Sequence, residues 1–260
     1  MKKTSLRTTK NDQEFGQILG INVIGTTMPE LLARVEDFIS HSQKFSIVTP
    51  NPELILMAQK NQLLKNALNS ADLSVPDGAG LKLAIPELNI IKGRKLFMEL
   101  IELANKKSWK VVLLGGLDEE AERAGVNLSE KFRNVRFECF RGPILDKNGE
   151  PVTKMDRKLE SDVVDRTNSF APHLLFVAFG NPKQEIWIHK NLSKLNIGSA
   201  MAVGGTLCYI AGLVALPPKW MESLGLEWLW RLIHEPKRIK RIWNAVVVFP
   251  IKVFQSKLSQ

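Results

Sequence analysis

Cysteine is scarce in this chain. Cys139 and Cys208 are the only two; they form no Cys-x-x-Cys pair and no His lies near them in sequence, so neither a zinc site nor a redox pair is indicated. Reduced thiols in a cytosolic setting are the expectation. The four histidines, His41, His173, His189 and His234, fall at no metal-ligand spacing and read as surface or packing residues. Signature loops are missing as well. No Gly-x-Gly-x-x-Gly follows a strand candidate, which argues against a dinucleotide site of the usual kind, and the lack of a Gly-Lys-Ser/Thr loop argues against an NTPase. Asp-x-Asp is also absent, so no carboxylate pair for Mg²⁺ or Mn²⁺ stands out and no metal or other cofactor is expected. The N-terminus is basic and polar without an apolar run behind it, unlike a secretory signal. Residues 1–15 are expected to form a disordered tail.

What the chain does have is ordinary balance and ample length. With 260 residues, 44% hydrophobic and 24% charged, it can bury a real core, which excludes disulfide-stapled miniproteins, wholesale disorder and fibrous architecture. The formal charge of +9 favours an anionic partner: nucleic acid, a nucleotide, a diphosphate or an acidic lipid surface. One uncharged stretch, 196–218, is long enough to span a bilayer. Gly204-Gly205 interrupts it, Thr206 is a helix-cap candidate and Pro217-Pro218 ends it, so it reads better as a buried strand, a turn and a short helix.

Apolar runs of strand length recur at 45–48, 73–75, 111–114, 135–140, 174–179 and 200–203, each closed by a turn signal. Their continuous hydrophobicity implies burial on both faces. Helical periods lie at 29–39, 52–71 with a break near Asn61, 95–105, 119–132, 153–167 and 182–195. The alternation predicts an α/β fold, a Rossmann-like, largely parallel sheet flanked by helices. After Pro217-Pro218 no strand candidate remains. The sequence therefore divides into an α/β core at 16–216 and a helical, basic, Trp-rich C-terminal appendage at 217–260.

Ligands in such folds gather at the carboxyl ends of strands, and each predicted strand ends in an unusual cluster: Thr49-Pro50-Asn51-Pro52, Pro76-Asp77-Gly78, Gly115-Gly116, Gly180-Asn181-Pro182-Lys183-Gln184 and Gly204-Gly205-Thr206. Asp77-Gly78 is a common turn dipeptide, yet a carboxylate at a strand end is also a natural base for removing a proton from an attacking hydroxyl. Asn51 reads equally as the N-cap of a helix with Pro52 at N1 and, with Thr49, as a ligand contact, and the two uses are compatible because helix N-termini bind anions. Asn181 and Gln184 resemble a capping box, while Lys183 and the Gln184 amide could hold a diphosphate or a sugar hydroxyl. Gly205 sits in a third strand-to-helix turn with room for close backbone approach. Three such turns favour a phosphate-bearing ligand.

The C-terminal segment is the second informative region. Trp220, Trp228, Trp230 and Trp243 alternate with Arg231, Lys237, Arg238, Lys240 and Arg241, ahead of the aliphatic run 245–249. This composition suits an interfacial helix on an anionic membrane. A helix packed on the core with a solvated basic edge is the plainer reading, and a nucleic-acid face the third.

Taken in order, Thr49-Pro50-Asn51-Pro52-Glu53, Ala71-Asp72-Leu73 with Pro76-Asp77-Gly78, Leu113-Leu114-Gly115-Gly116, Phe179-Gly180-Asn181-Pro182-Lys183-Gln184-Glu185, Val203-Gly204-Gly205, and Gly225-Leu226-Glu227-Trp228 with Glu235-Pro236-Lys237-Arg238 resemble the WecG/TagA/CpsF family of glycosyltransferases over residues 18–245. The resemblance implies an inverting, metal-independent transfer of a sugar from a UDP donor to a polyprenyl-diphosphate-linked saccharide in cell-surface polysaccharide synthesis. The sugar is N-acetylmannosamine, its uronic acid or a related hexose. By the same resemblance Asp77 is the general base, and Thr49, Asn51 and Gln184 are pocket residues. Gly115, Gly180, Lys183 and Gly205 complete the binding set, and Arg231, Arg238 and Arg241 reach the diphosphate from a membrane-docking appendage. The family usually carries an Arg three residues before the Gly that opens the next helix. This chain has Ile90 before Gly93, with Lys92 or Arg94 to supply the charge. The implied partners are the UDP-sugar, the lipid-linked acceptor and an anionic membrane surface, with no nucleic acid. The implied location is cytoplasmic, peripheral on the inner face of the cell membrane. Self-association into a homo-oligomer is compatible with the sequence. A nucleotide-sugar-binding module without catalysis and a basic nucleic-acid-binding protein are the alternatives from other classes.

Overall fold

The computed structural model describes residues 16–116, 119–218, 220–221, 227–234 and 239–258; the expected tail at 1–15 lies outside the described residues. A short antiparallel hairpin opens the fold, β1 (Gly16–Ile18) and β2 (Ile21–Val23). The main sheet has six strands: β3 (Phe45–Val48), β4 (Leu73–Ser74), β5 (Lys110–Gly115), β6 (Arg136–Phe140), β7 (Leu174–Ala178) and β8 (Ser199–Ala202). All pairs in it are parallel, in the order β4-β3-β8-β7-β5-β6. Each of the six predicted strands is present, and the predicted α/β class with helices on both faces is the observed one.

The helices follow the predicted periods: α1 (Met28–Ser40), α2 (Pro52–Ala58), α3 (Gln62–Asn69), α4 (Gly93–Lys107), α5 (Glu120–Lys131), α6 (Lys154–Phe170), α7 (Lys183–Asn191) and α8 (Thr206–Ile210). Local chemistry sets their starts. Asn51 Oδ1 accepts from Leu54 N at 2.9 Å to cap α2, and Asn61 Oδ1 accepts from Leu64 N at 3.1 Å to cap α3, which is why the 52–71 period breaks at Asn61. Thr153 and Asp156 cap α6 reciprocally, with Asp156 N donating to Thr153 Oγ1 at 3.1 Å and Thr153 N to Asp156 Oδ2 at 3.0 Å. Thr206, expected as a cap, is instead the first residue of α8, with Gly205 at the cap position.

Alternation along the buried strands feeds two cores. Val111, Leu113, Phe176 and Met201 pack beneath α1, α4 and α5 through Leu31, Val35, Phe97 and Leu128. Val112, Leu114, Val177 and Ala202 pack on the opposite face against Val163 of α6 and Trp187 and Ile188 of α7. A third cluster joins the hairpin, α2 and α3. After Pro218 every described residue is helical: α9 (Glu227–His234), α10 (Ile239–Trp243), a π-helical turn (Asn244–Val248) and α11 (Phe249–Leu258). Phe249 and Val253 of α11 are buried in the third cluster, so the C-terminal run closes over α2 with one face and leaves the other outside.

Candidate active site

Four strand ends, those of β4, β3, β8 and β7, stand side by side in the sheet, and a cavity of about 740 Å³ opens beyond them. This is the crevice outside the carboxyl edge where parallel sheets hold ligands. Backbone pairing runs on past the short β4: Val75 N donates to Val48 O at 2.9 Å and Asp77 N to Pro50 O at 2.9 Å. The extension fixes Asp77 beside the Thr49–Asn51 turn, and all three residues line the cavity. Gly93 opens α4 directly opposite. A Cβ built on it would lie 3.3 Å from Thr49 Oγ1 and 3.4 Å from Asp77 Oδ2, so the hydroxyl and the carboxylate converge on the one position in α4 that has no side chain. Glycine at position 78 serves the same turn: it adopts φ of +97° while packing on Pro52.

Gln184 is 3% exposed and ties two of the turns together. Its Oε1 accepts from Gly180 N and from Gly204 N, both at 3.1 Å, and its Nε2 donates to Asn181 Oδ1 and to Glu185 Oε1, both at 2.8 Å. A carboxamide has two acceptor sites and two donor hydrogens. All four are therefore filled by the protein, so Gln184 shapes the wall formed by the turns after β7 and β8. The capping box expected of Asn181 and Gln184 does not form. Pro182 occupies the cap position of α7, and Asn181 receives the Gln184 side-chain amide in place of its backbone N–H. Gly180, Lys183, Gly204 and Gly205 line the same wall.

Glu185, next in sequence, was not singled out by its motif position, yet it is the most unusual group here. It is 3% exposed, and among the described residues its Oε2 has no hydrogen-bond partner. Burial, reinforced by the Glu53 carboxylate, pushes its pKa up to about 7 against the opposing pull of the Gln184 amide and Arg241. The rest of the wall is cationic. Lys92, Arg94, Lys95, Lys183 and Arg241 line it together with the carboxyls of Glu53, Asp77 and Glu185. The Arg94 guanidinium lies over the Tyr209 ring, 5.4 Å from its centroid, and Tyr209, unremarked in the sequence, is the only tyrosine of the chain. Ile90, where the resemblance led to the expectation of an Arg, packs against the third core cluster, while Lys92 and Arg94 line the cavity.

Of the other expected site residues, Gly115 is not part of the cavity lining. It takes φ of +95°, and an added Cβ would come within 2.8 Å of the Phe179 ring, so it seats the aromatic that lines the cavity rather than touching the space itself. Arg241 reaches the cavity from α10 and pairs through Nε with Glu53 Oε1. Arg238 and the side chain of Arg231 lie outside the described residues. Among the described residues no group of three His, Cys, Asp or Glu side chains is arranged to hold a metal ion. Among the described residues no helix is long and apolar enough to cross a membrane. Cys139 and Cys208 are not joined in a disulfide, and burial with Glu122 and Glu138 nearby pushes the Cys139 thiol up to about 12, which makes it unreactive.

Sequence comparison accords with this geometry. The model of the "Glycosyl transferase WecG/TagA/CpsF family" matches residues 16–260. N-acetylglucosaminyldiphosphoundecaprenol N-acetyl-beta-D-mannosaminyltransferases of Staphylococcus aureus strains MW2, NCTC 8325 and COL are each 31% identical over 247 residues, covering 92% of this chain and 92% of theirs.

Proposed function

Since the chain belongs to the WecG/TagA/CpsF family and is therefore a glycosyltransferase, we propose that it moves N-acetylmannosamine from a UDP donor onto an N-acetylglucosamine carried by a polyprenyl diphosphate. The sugar and acceptor follow the activity named for its staphylococcal relatives. The observation that carries the mechanism is the convergence of Thr49 Oγ1 and Asp77 Oδ2 on Gly93 at the edge of a cationic cavity. In this reading the Asp77 carboxylate takes the proton of the acceptor hydroxyl as that oxygen bonds to the anomeric carbon. The bond from that carbon to the diphosphate oxygen breaks on the opposite face, and UDP departs with its electron pair. One base and one in-line displacement give inversion.

Charge gathers on the departing diphosphate, and Lys92, Arg94, Lys183 and Arg241 are the side chains offered to it, with the backbone of the turn at Gly205. That supply of fixed cations is the reason to propose a reaction that needs no metal. Thr49 and Asn51 orient the acceptor. Gln184 holds the two turns in register, and Gly115 does the same for Phe179.

The C-terminal helices are proposed to rest on an anionic membrane at the inner face of the cell membrane, where the lipid-linked acceptor resides. Among the described residues ten large hydrophobic side chains beyond residue 212 are exposed, including Trp220, Ile239, Trp243, Ile251, Phe254 and Leu258, against six in all the rest of the chain; such clustering marks an interaction surface. With Lys240, Arg241, Lys252 and Lys257 nearby in sequence, an acidic lipid surface suits it. Self-association remains part of the proposal only as a compatible arrangement.

The test is mass spectrometry of products after incubation with a panel of UDP-sugars and a short polyprenyl-diphosphate N-acetylglucosamine, with and without EDTA. The proposal requires a disaccharide product from UDP-N-acetylmannosamine that EDTA does not suppress. No product from any UDP-sugar contradicts the donor, and loss of product with EDTA contradicts the metal-free reaction.

A further inference from the structure

A second apolar patch stands on the same edge of the sheet as the cavity, and it does not belong to the C-terminal helices. The chain leaves the carboxyl end of β6 and doubles back through an isolated antiparallel bridge between Leu145 and Pro151. Leu145 and Pro151 are buried, so their neighbours Ile144 and Val152 take the outer face of the hairpin, where Val152 N donates to Ile144 O at 3.0 Å. Ile144 and Val152 are 58% and 57% exposed, and Met155, in the first turn of α6, is 81% exposed. Ile144 N donates to Asp156 Oδ1 at 2.9 Å, which ties hairpin and helix together. These three side chains are half of the six large apolar ones exposed before residue 212 among the described residues.

Positive charge surrounds them. Segment 141–158 holds five cations, Arg141, Lys147, Lys154, Arg157 and Lys158, all exposed. Its three acids are engaged within the fold: Asp146 accepts from Asn148 N and Glu150 N, Glu150 pairs with Lys190, and Asp156 caps α6. Three of the cations fall within the first five residues of α6, the end of a helix where positive charge is unfavourable. Helix stability gives no reason for them, and an anionic partner does. The hairpin is also held against the cavity's surroundings. Gly142 packs on the Phe179 ring with no room for a Cβ, Gly149 packs on Ile186, and Lys190 Nζ donates to Asn148 O at 2.8 Å. Phe179 lines the cavity, and Ile186 belongs to the cluster that buries Phe249 and Val253 of α11. Helix α7 thus supports both the hairpin and the cluster in which the C-terminal run is anchored.

We propose that Ile144, Val152 and Met155, with the cations around them, form a second membrane-docking surface seated on the same anionic bilayer as the C-terminal helices. This rests on the membrane reading above and deepens it: two contacts on the cavity's edge of the sheet present that edge to the lipid-linked acceptor. A nucleic acid would satisfy the cations and leave the apolar centre nothing to bury against. A second copy of the chain would bring two sets of these cations face to face. A layer of acidic headgroups over hydrocarbon meets both the charged rim and the apolar centre.

The test is cosedimentation of the full chain with vesicles of phosphatidylglycerol and phosphatidylcholine, with pure phosphatidylcholine vesicles as the neutral control and light scattering of the protein alone for its mass. Two variants alter the surface without touching the cavity lining: Val152→Ser with Met155→Ser, and Lys154→Gln with Arg157→Gln and Lys158→Gln. All five side chains are exposed, so melting temperatures are expected to stay near wild type, that of the glutamine variant holding or rising as the helix end loses unfavourable charge. Affinity for the anionic vesicles is expected to fall severalfold in the serine variant. The glutamine variant is expected to lose at least tenfold, since each cation near an acidic surface contributes roughly fivefold. Undiminished vesicle binding by either variant, or equal binding of the wild type to both vesicle types, overturns the proposal. A change in mass by light scattering with vesicle binding retained also overturns it, and assigns the patch to a protein contact. Failure of the wild type to bind vesicles at all overturns instead the membrane reading on which it stands.

Discussion

Gly93 has to satisfy two demands at once, opening helix α4 and leaving room for Thr49 and Asp77. Alanine suits a helix better than glycine by up to about 1 kcal/mol, and no positive φ forbids it here. Its methyl would crowd Thr49 Oγ1 and Asp77 Oδ2 at 3.3 and 3.4 Å and push them apart by a few tenths of an ångström. Gly93→Ala should therefore keep or raise the melting temperature while lowering turnover at least severalfold, measured by calorimetry and a UDP-release assay on the same sample. Unchanged turnover would remove the convergence from the mechanism. Glu185 makes a separate prediction about stability. Its folded value of about 7 lies above its ordinary 4.5, so the stability it contributes is full below about pH 4.5 and is lost as pH rises through about 7. The melting temperature of Glu185→Gln should gain on that of the wild type across this window and level off above it; a constant gap would show that the acid is not held neutral. Asp77, Thr49 and Asn51 were legible in the sequence because each directly follows an apolar run, and the end of a run marks the rim of a parallel sheet. Gln184 was legible as a site residue but not as a saturated one, since one of its partners, Gly204, lies 20 residues further on. Glu185 was hidden by the same distance effect: nothing local says that Glu53 and Arg241 surround it.

Elements were easier to read than their order. The six buried strands announce themselves as continuous runs of Val, Leu, Ile and Phe, and the helices as amphipathic periods with caps at Asn51, Asn61 and Thr153. The hairpin β1–β2 escaped because each strand has only three residues and its Leu19-Gly20 turn, with φ of +50° and +74°, lacks the usual Asn-Gly or Asp-Gly pair. The sequence of the C-terminal helices admits membrane contact, packing on the core or a nucleic-acid face, and α11 combines core packing with an exposed apolar face. Phe249 is fully buried while Phe254 is 64% and Trp243, at the end of α10, is 61% exposed. The two faces predict different phenotypes. Phe249→Ala should destabilise the protein by about 3–5 kcal/mol through the cavity it leaves. Trp243→Ser with Phe254→Ser should shift stability by no more than about 1 kcal/mol and weaken cosedimentation with anionic vesicles severalfold. Undiminished vesicle binding by that double variant would remove these helices from the membrane. Point changes are the better probe, because removing residues from 226 onward would also strip Phe249 and Val253 from the core they complete.

At the scale of the whole molecule, strand order turns scattered motifs into one site. The insertion of β8 and β7 between β3 and β5 brings turns that are more than a hundred residues apart in sequence around a single cavity, and the pairing of Glu53 with Arg241, 188 residues apart, lets the C-terminal run form part of its wall. None of this order is written in local periodicity, which is blind to which strands become neighbours. The +9 charge finds part of its place in the Lys and Arg side chains of that wall. The central claim is that one carboxylate at the sheet's rim activates the acceptor, and it is tested most directly by comparing turnover of Asp77→Asn with that of the wild type while UDP affinity is measured in parallel. The account predicts a loss of roughly 10²–10⁴-fold in turnover, the range of general-base catalysis, with UDP binding and melting temperature little changed. Turnover within a fewfold of wild type would contradict it.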